Sequence, residues 1–278
     1  MGNIIEPIKT DIHNFGHVIL VDYMGDDNAI VDAARMSYGK GTVKRHDSEG
    51  LIRYLMRHKH TTPFEMVEFK FQVKMPIFVA RQWIRHRTAS INEMSGRYSE
   101  LPNEYFMFDE LSVQSQSNKQ GRQDGRALRS EEFLREMEAQ AAEAFALYYD
   151  MIDPEDDVAR EQARCGLPLS TYTEFVWKID LHNLFHFLKL RTDSHAQKEI
   201  RDYATVIEAH VADIVPAAYR AWVDYSKKAH TFSRQEMALL RTMLQEYQAC
   251  GGHVMMTEQG MTVREIKEFR VALGIAAE

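Results

Sequence analysis

Apolar positions recur along this chain with two different periods. From Val67 to Met75 every second residue is apolar, with Phe69, Phe71 and Val73 set between Glu68, Lys70, Gln72 and Lys74. That alternation predicts a strand with one buried face. The runs Val18 to Val21 and Thr171 to Ile179 are rich in β-branched and aromatic residues and predict two more strands. Elsewhere the period is three to four. Ala29, Ile30 and Ala33 follow the capping residue Asp26, and Leu51, Ile52, Leu55 and Met56 follow Asp47 or Ser48. Val79, Ala80, Trp83 and Ile84 form a stripe after Pro76, whose missing N–H suits a first helical position, and this helix is expected to run to about Arg87.

Further along, Ser130, Glu131 and Glu132 start a helix with the stripe Leu134, Met137, Ala141, Phe145 and Tyr148. Asp153-Pro154 reads as the start of a helix carrying Glu161 and Arg164 and halted at Leu167-Pro168. Helices follow through Leu184 to Leu190 and through Ile200, Tyr203, Ile207 and Val211. The polar stretch from Ser112 to Ser130 reads as a loop. In the tail, Ser233 with Glu236 and Thr262 with Glu265 have the spacing of capping boxes, each before an apolar-periodic helix. The expected architecture is α/β of the α+β type, with a central mixed or antiparallel sheet flanked by long helices. Residues 1–228 form the main domain and residues 229–278 a two-helix appendage.

Composition narrows the class. With 278 residues, 45% hydrophobic and 27% charged, the chain is long enough to bury a full core. A net charge of −7 argues against a general nucleic-acid binder. No apolar run is long enough to span a bilayer, no signal-like segment opens the sequence, and Glu6 stands where a myristoylation motif needs Ser or Thr. A cytoplasmic protein without membrane or nucleic-acid partners is expected. Cys165 and Cys250 supply neither a disulfide framework nor a closely spaced ligand pair, and the histidines follow no common zinc spacing, so no metal is expected.

Against that acidic background the run Arg85-His86-Arg87-Thr88-Ala89-Ser90-Ile91-Asn92-Glu93-Met94-Ser95-Gly96-Arg97-Tyr98 concentrates three arginines with hydroxyls. A guanidinium stays charged and offers a planar fork of donors, which suits phosphate. Arg81 adds a like charge one turn before Arg85, a costly pairing unless an anion lies between them. Ser95 has the residue type of a nucleophile, but no base accompanies it, so phosphate contact is the better reading. Ser37 to Thr42 is glycine-containing without P-loop spacing, and no Rossmann fingerprint occurs.

Arg-His-Arg, seven residues and then Ser resembles the signature of the flavin-dependent thymidylate synthases. The likeness continues through Asn92 to Tyr98, through His60-Thr61-Thr62-Pro63-Phe64-Glu65, Arg81-Gln82-Trp83, Arg164 before Leu167-Pro168-Leu169, and Leu190-Arg191 with Asp193-Ser194-His195-Ala196. It spans roughly Asp22 to Tyr225. The resemblance implies a homotetramer with active sites between chains, tightly bound FAD, and production of dTMP from dUMP with methylenetetrahydrofolate and NADPH as co-substrates. It implies dUMP contacts at Gln82, Trp83, Ile84, Arg85, Glu93, Met94, Ser95, Gly96, Arg97, Arg164 and Arg191. It implies flavin contacts at Ser37, His60, Thr62, Arg85, His86, Arg87, Glu93, Asp180, Leu181, His182 and His186.

Arg191 is similar in position to the family arginine that faces the pyrimidine, and since a guanidinium is no base, its role there is electrostatic. Asp180 and His182 depart from the family, where Asn and Arg are common, which weakens the expected cationic grip on the flavin nucleotide. Two other classes fit the arginines alone: a nucleotide- or RNA-binding module without redox chemistry, and a metal-dependent nucleotide hydrolase. A yellow, flavin-absorbing protein separates the first reading from both.

Overall fold

The computed structural model describes residues 6–36, 48–116, 120–251 and 261–274. Strand β1 (Ile8–Ile12) turns directly into β2 (Gly16–Met24), and Gly25, in a left-handed conformation, leads to α1 (Asp27–Met36). Asp26 caps α1 as expected, its Oδ1 accepting from the amides of Asn28 and Ala29 at 2.8 and 3.2 Å. Helix α2 (Ser48–Arg57) buries Ile52 and Leu55, and the short α3 (Thr62–Glu65) buries Phe64. The alternating stretch forms β3 (Glu68–Pro76), in which Phe69, Phe71, Val73 and Met75 are fully buried.

Pro76 ends this strand and stands at the N-cap of α4 (Ile77–Trp83) rather than inside it. Helix α4 stops at Trp83, four residues before the expected end. Ile84, expected in the buried stripe, is therefore 48% exposed, because the chain has left the helix where the stripe would have continued. The chain then makes an edge strand that its sequence did not announce, β4 (Ser90–Glu93), with every residue exposed.

The stretch expected to be a loop contains the hairpin β5 (Ser112–Gln114) and β6 (Arg122–Arg126). Its strands bury almost nothing, so no apolar alternation marked them. Helix α5 (Ser130–Met151) buries Ala141, Phe145 and Tyr148, while Met137 stays 37% exposed. Asp153-Pro154 starts no helix: Asp153 Oδ1 accepts from the Glu155 amide at 3.0 Å and Asp157 takes a φ of 44°, which closes a turn. Only α6 (Arg160–Ala163) and a 3₁₀ turn at Arg164–Gly166 follow.

Strand β7 (Tyr172–Asp180) completes a five-stranded antiparallel sheet of order β1-β2-β3-β7-β4. Its register sets Phe71 opposite Trp177 and Val73 opposite Phe175. On the buried face lie α7 (Leu181–Arg191) and α8 (Lys198–Ile214), and Trp83 of α4 wedges against Phe175, Trp177, Phe187 and Tyr203. Helix α9 (Pro216–Trp222) runs into a π turn at Val223–Lys227. Asp27 at the start of α1 accepts from the amides of Ala217 and Ala218 at 2.8 and 2.9 Å, satisfying the N-terminus of α9 across the fold.

The chain divides into two compact units, residues 1–227 and 228–278. The second holds α10 (Arg234–Ala249) and α11 (Val263–Leu273), each opened by the capping box that its sequence indicated, and Arg241 donates twice to the Ala272 carbonyl.

Gly16 lies at a tight approach: an added Cβ would overlap the Tyr203 hydroxyl and come within 2.7 Å of the Ile12 carbonyl oxygen. Gly16→Ala should lower unfolding stability by about 1–3 kcal/mol in a urea titration. Removing the hydroxyl with Tyr203→Phe in the same chain should recover part of that loss, and equal stability of Gly16→Ala and wild type would contradict this packing.

Candidate active site

Helices α4 and α7 come together around Arg191. Its Nε donates to His86 Nε2 at 3.0 Å and an Nη2 hydrogen goes to the main-chain carbonyl of Gln82, also at 3.0 Å. Neither partner is anionic. His86 accepts through Nε2 and is therefore the neutral tautomer with its proton on Nδ1. Burial, then the charges of Arg191 and His186, lower its pKa from 6.5 to about 4. Burial also lowers the Arg191 pKa, yet a guanidinium starts so high that it remains charged. The result is a half-buried cation with no carboxylate partner, and its Nη1 edge makes no bond with the described residues.

The aromatic core fixes this arrangement. His86 packs edge-on to Phe187 at 4.9 Å, and Phe187 packs on Trp83 and Trp177 at 4.7 and 5.0 Å. The Gln82 side chain donates to Gln197 Oε1 at 2.5 Å, tying α4 to the start of α8. Gln197 was not picked out from sequence because nothing local marks it. Arg81, Arg85 and Arg87 are exposed and make no ion pair with the described residues, so none of the described carboxylates fills the place of the anion expected between Arg81 and Arg85.

A second group forms beyond β4. A cavity of about 240 Å³ is bounded by Glu93, Met94, Gly96 and Arg164, with Thr171 and Thr173 across from them. Thr173 Oγ1 donates to Glu93 Oε1 at 2.5 Å and holds that carboxylate in place. Ser95 Oγ accepts from the Arg97 amide at 3.3 Å, and the Arg97 guanidinium meets Glu161 at 3.1 Å with both side chains 55% exposed. So exposed a pair is worth little and releases either partner readily. Cys165 lines the same cavity, and its thiol donates to the Glu161 carbonyl, as a helical cysteine does.

A third feature is a cavity of about 330 Å³ whose wall includes His60, His182 and His186. Thr62 is exposed at the start of α3 nearby in sequence. Asp180 caps α7, accepting from the Asn183 amide and side chain at 3.0 and 2.7 Å. Leu181 and Trp83 are fully buried, so ligand contact at those two positions is left to the main chain. Ser37, and with it the stretch Ser37 to Thr42, lies outside the described residues.

Within one chain the residues assigned to the nucleotide thus fall into two groups, Gln82, Arg85 and Arg191 on one side and Glu93 to Arg97 with Arg164 on the other. No hydrogen bond or ion pair between described residues joins them. Among the described residues no three His, Cys, Asp or Glu side chains gather as metal ligands, and no helix is long and apolar enough to cross a membrane.

The fold is an antiparallel α+β sheet that presents Arg81, Arg85, Arg87 and Arg191 without carboxylate partners among the described residues, a surface of the anion-binding class. Comparison with known proteins agrees. Residues 19–217 match the family described as thymidylate synthase complementing protein. A flavin-dependent thymidylate synthase of Ruegeria pomeroyi is 50% identical over 266 residues, covering 93% of this chain and 86% of the relative. One from Thermus thermophilus is 51% identical over 238 residues, covering 86% and 87%. A crystal structure of a UMP/dUMP methylase from Streptomyces cacaoi bound with 5-Br UMP superposes with a TM-score of 0.68 at 32% identity, covering 78% of this chain and 96% of that one. The chain belongs to the flavin-dependent thymidylate synthase family, whose members are methyltransferase-class enzymes.

The depressed His86 pKa has a definite sign. Above 6.5 both folded and unfolded chains hold this imidazole neutral; between 6.5 and about 4 only the unfolded chain takes up the proton. Stability should therefore fall as the pH drops through that window. His86→Gln keeps a carbonyl acceptor for Arg191 and cannot titrate, so its urea midpoint should change less than that of wild type between about pH 7 and about pH 4.5. Parallel acid profiles for the two proteins would show that His86 is not held neutral.

Proposed function

We propose that this protein methylates dUMP to dTMP, with methylenetetrahydrofolate as carbon donor, NADPH as reductant and FAD as tightly bound cofactor. The observation that carries the reading is Arg191, a half-buried cation held by a neutral imidazole and a peptide carbonyl. Such a group keeps its charge available for a ligand, where a carboxylate partner would have neutralised it.

Arg191 faces the pyrimidine ring in this reading and stabilises the negative charge that gathers on the ring as its carbon is made nucleophilic. His86 and the Gln82 carbonyl act through Arg191 by fixing the plane of the guanidinium. Arg97 holds the phosphate with Ser95 Oγ beside it, and Arg164 lines the adjoining cavity. Ser95 serves there as a contact and no protein nucleophile is used.

The residues present fit a flavin: an open cavity bounded by His60, His182 and His186, and Arg85 and Arg87, exposed and without an ion pair among the described residues, for an anionic dinucleotide. Bound and reduced, FAD supplies the hydride that completes the methyl group. Asp180 is committed to capping α7, so it contributes backbone order there rather than a free charge. The division of the nucleotide residues into two groups within one chain supports active sites completed by another copy, in a homotetramer.

Two measurements test this. Anaerobic mixing of purified protein with NADPH should bleach the flavin bands, and adding dUMP and methylenetetrahydrofolate should restore them with formation of dTMP. Arg191→Ala should keep its FAD and lower kcat/KM for dUMP by about 10²–10³-fold, the usual loss of one donor to a developing charge. Normal turnover by that variant refutes the role given to Arg191, and a colourless, flavin-free protein refutes the function.

A further inference from the structure

The connection between α7 and α8 is fastened at both ends to one residue. Arg191 closes α7 and donates through Nη2 to the main-chain carbonyl of Gln82 at 3.0 Å. Gln197, at the N-cap of α8, accepts from the side-chain amide of that same Gln82 at 2.5 Å. Gln82 lies in the last turn of α4, so one helix end meets the start and the finish of the connection together.

The residues between, 192–196, are braced among themselves. Thr192 Oγ1 donates to the Leu188 carbonyl at 2.8 Å, Asp193 Oδ1 accepts from the His195 amide at 2.8 Å, and the Ala196 amide donates to the Asp193 carbonyl at 3.0 Å. Arg201 Nη1 donates to the Ser194 carbonyl at 2.9 Å and ties the connection to α8. A segment braced in this way moves as one piece, and a displacement of Gln197 is passed to Arg191.

Neither local need explains Gln197. An N-cap favours Ser, Thr, Asp or Asn, whose short side chains reach the first free amides of the helix. Gln197 makes no such bond, and α8 begins without a side-chain cap. Its bond to Gln82 is an exposed one between neutral groups, for which water offers equal partners, so it adds little to stability. What the bond does fix is the place of Gln82, and with it the carbonyl that Arg191 engages.

We infer that Gln197 is a positioning residue for the reaction: acting through Gln82, it sets the direction in which the Arg191 guanidinium faces the pyrimidine. The inference rests on the proposed function, which gives Arg191 its role, and it adds a residue outside the nucleotide and flavin contacts. Loss of an aiming bond falls on kcat more than on the KM for dUMP.

The test uses Gln197→Ser and Gln197→Glu in the full chain, and Gln197→Ser again with Arg191→Ala. Serine cannot reach Gln82 but gives α8 a favoured cap, whereas glutamate keeps an acceptor at the same reach. Gln197→Ser should have a urea midpoint at or above that of wild type, yet a kcat lower by about threefold to tenfold, the worth of one neutral hydrogen bond. Gln197→Glu should keep most of the wild-type kcat. In the Arg191→Ala chain the serine substitution should lower kcat no further, since residues acting along one path do not add.

Wild-type kcat in Gln197→Ser overturns the inference, as does a loss that glutamate does not rescue or that persists at full size beside Arg191→Ala. A urea midpoint that falls together with kcat also overturns it, by making the role structural. Normal turnover by Arg191→Ala alone is a different result: it removes the proposed role of Arg191 and this inference with it. An impaired Arg191→Ala beside a normal Gln197→Ser strikes the inference and leaves the proposed function standing.

Discussion

A charged group can be kept ready for a ligand inside a protein only if its own fold does not neutralise it. Arg191 meets that condition through two neutral acceptors, His86 Nε2 and the Gln82 carbonyl. The imidazole stays neutral because it is partly buried beside the very cation it holds, so proximity of Arg191 and the neutrality of His86 reinforce each other. Desolvating a guanidinium is costly, and the aromatic packing of Trp83, Trp177 and Phe187 offsets that cost by burying large apolar area in the same place.

The sheet explains how such distant residues meet. Strand β3 delivers the chain into α4, β7 delivers it into α7, and their pairing sets Phe71 against Trp177. Because β3 and β7 run antiparallel, the two helices leave from opposite ends of the pair, and α7 is long enough to return Arg191 to the end of α4. Strand β4 then lies on the other edge of β7 and carries Glu93 toward Thr173. A single pair of strands therefore orders both groups of nucleotide residues, and a register slip of one residue would turn strand side chains such as Trp177 and Thr173 to the opposite face.

Where sequence and structure part, the cause lies in tertiary contact or in how little a segment buries. The helix after Pro76 ends at Trp83, because the tertiary contacts of the aromatic core, and not helix propensity, decide where the chain turns out toward β4. The hairpin near Ser112 and the turn at Asp153 bury too little to leave a periodic trace. The reading of Ile84 as buried failed with the helix end on which it depended.

The sequence by itself determined the two central strands, most helices, the capping boxes at Ser233 and Thr262, and the family, because each is written as a local period or a contiguous motif. It marked Arg85 and Arg97 through one arginine-rich run, and Arg191 was joined to them through resemblance alone. Only the tertiary structure decided that Arg191 is held by a neutral His86, that Gln197 ties down Gln82, and that Asp180 is spent on a helix cap. Those facts depend on distances between residues as many as 115 positions apart. No local pattern encodes such a distance, since it follows from the strand order and helix lengths of the whole sheet.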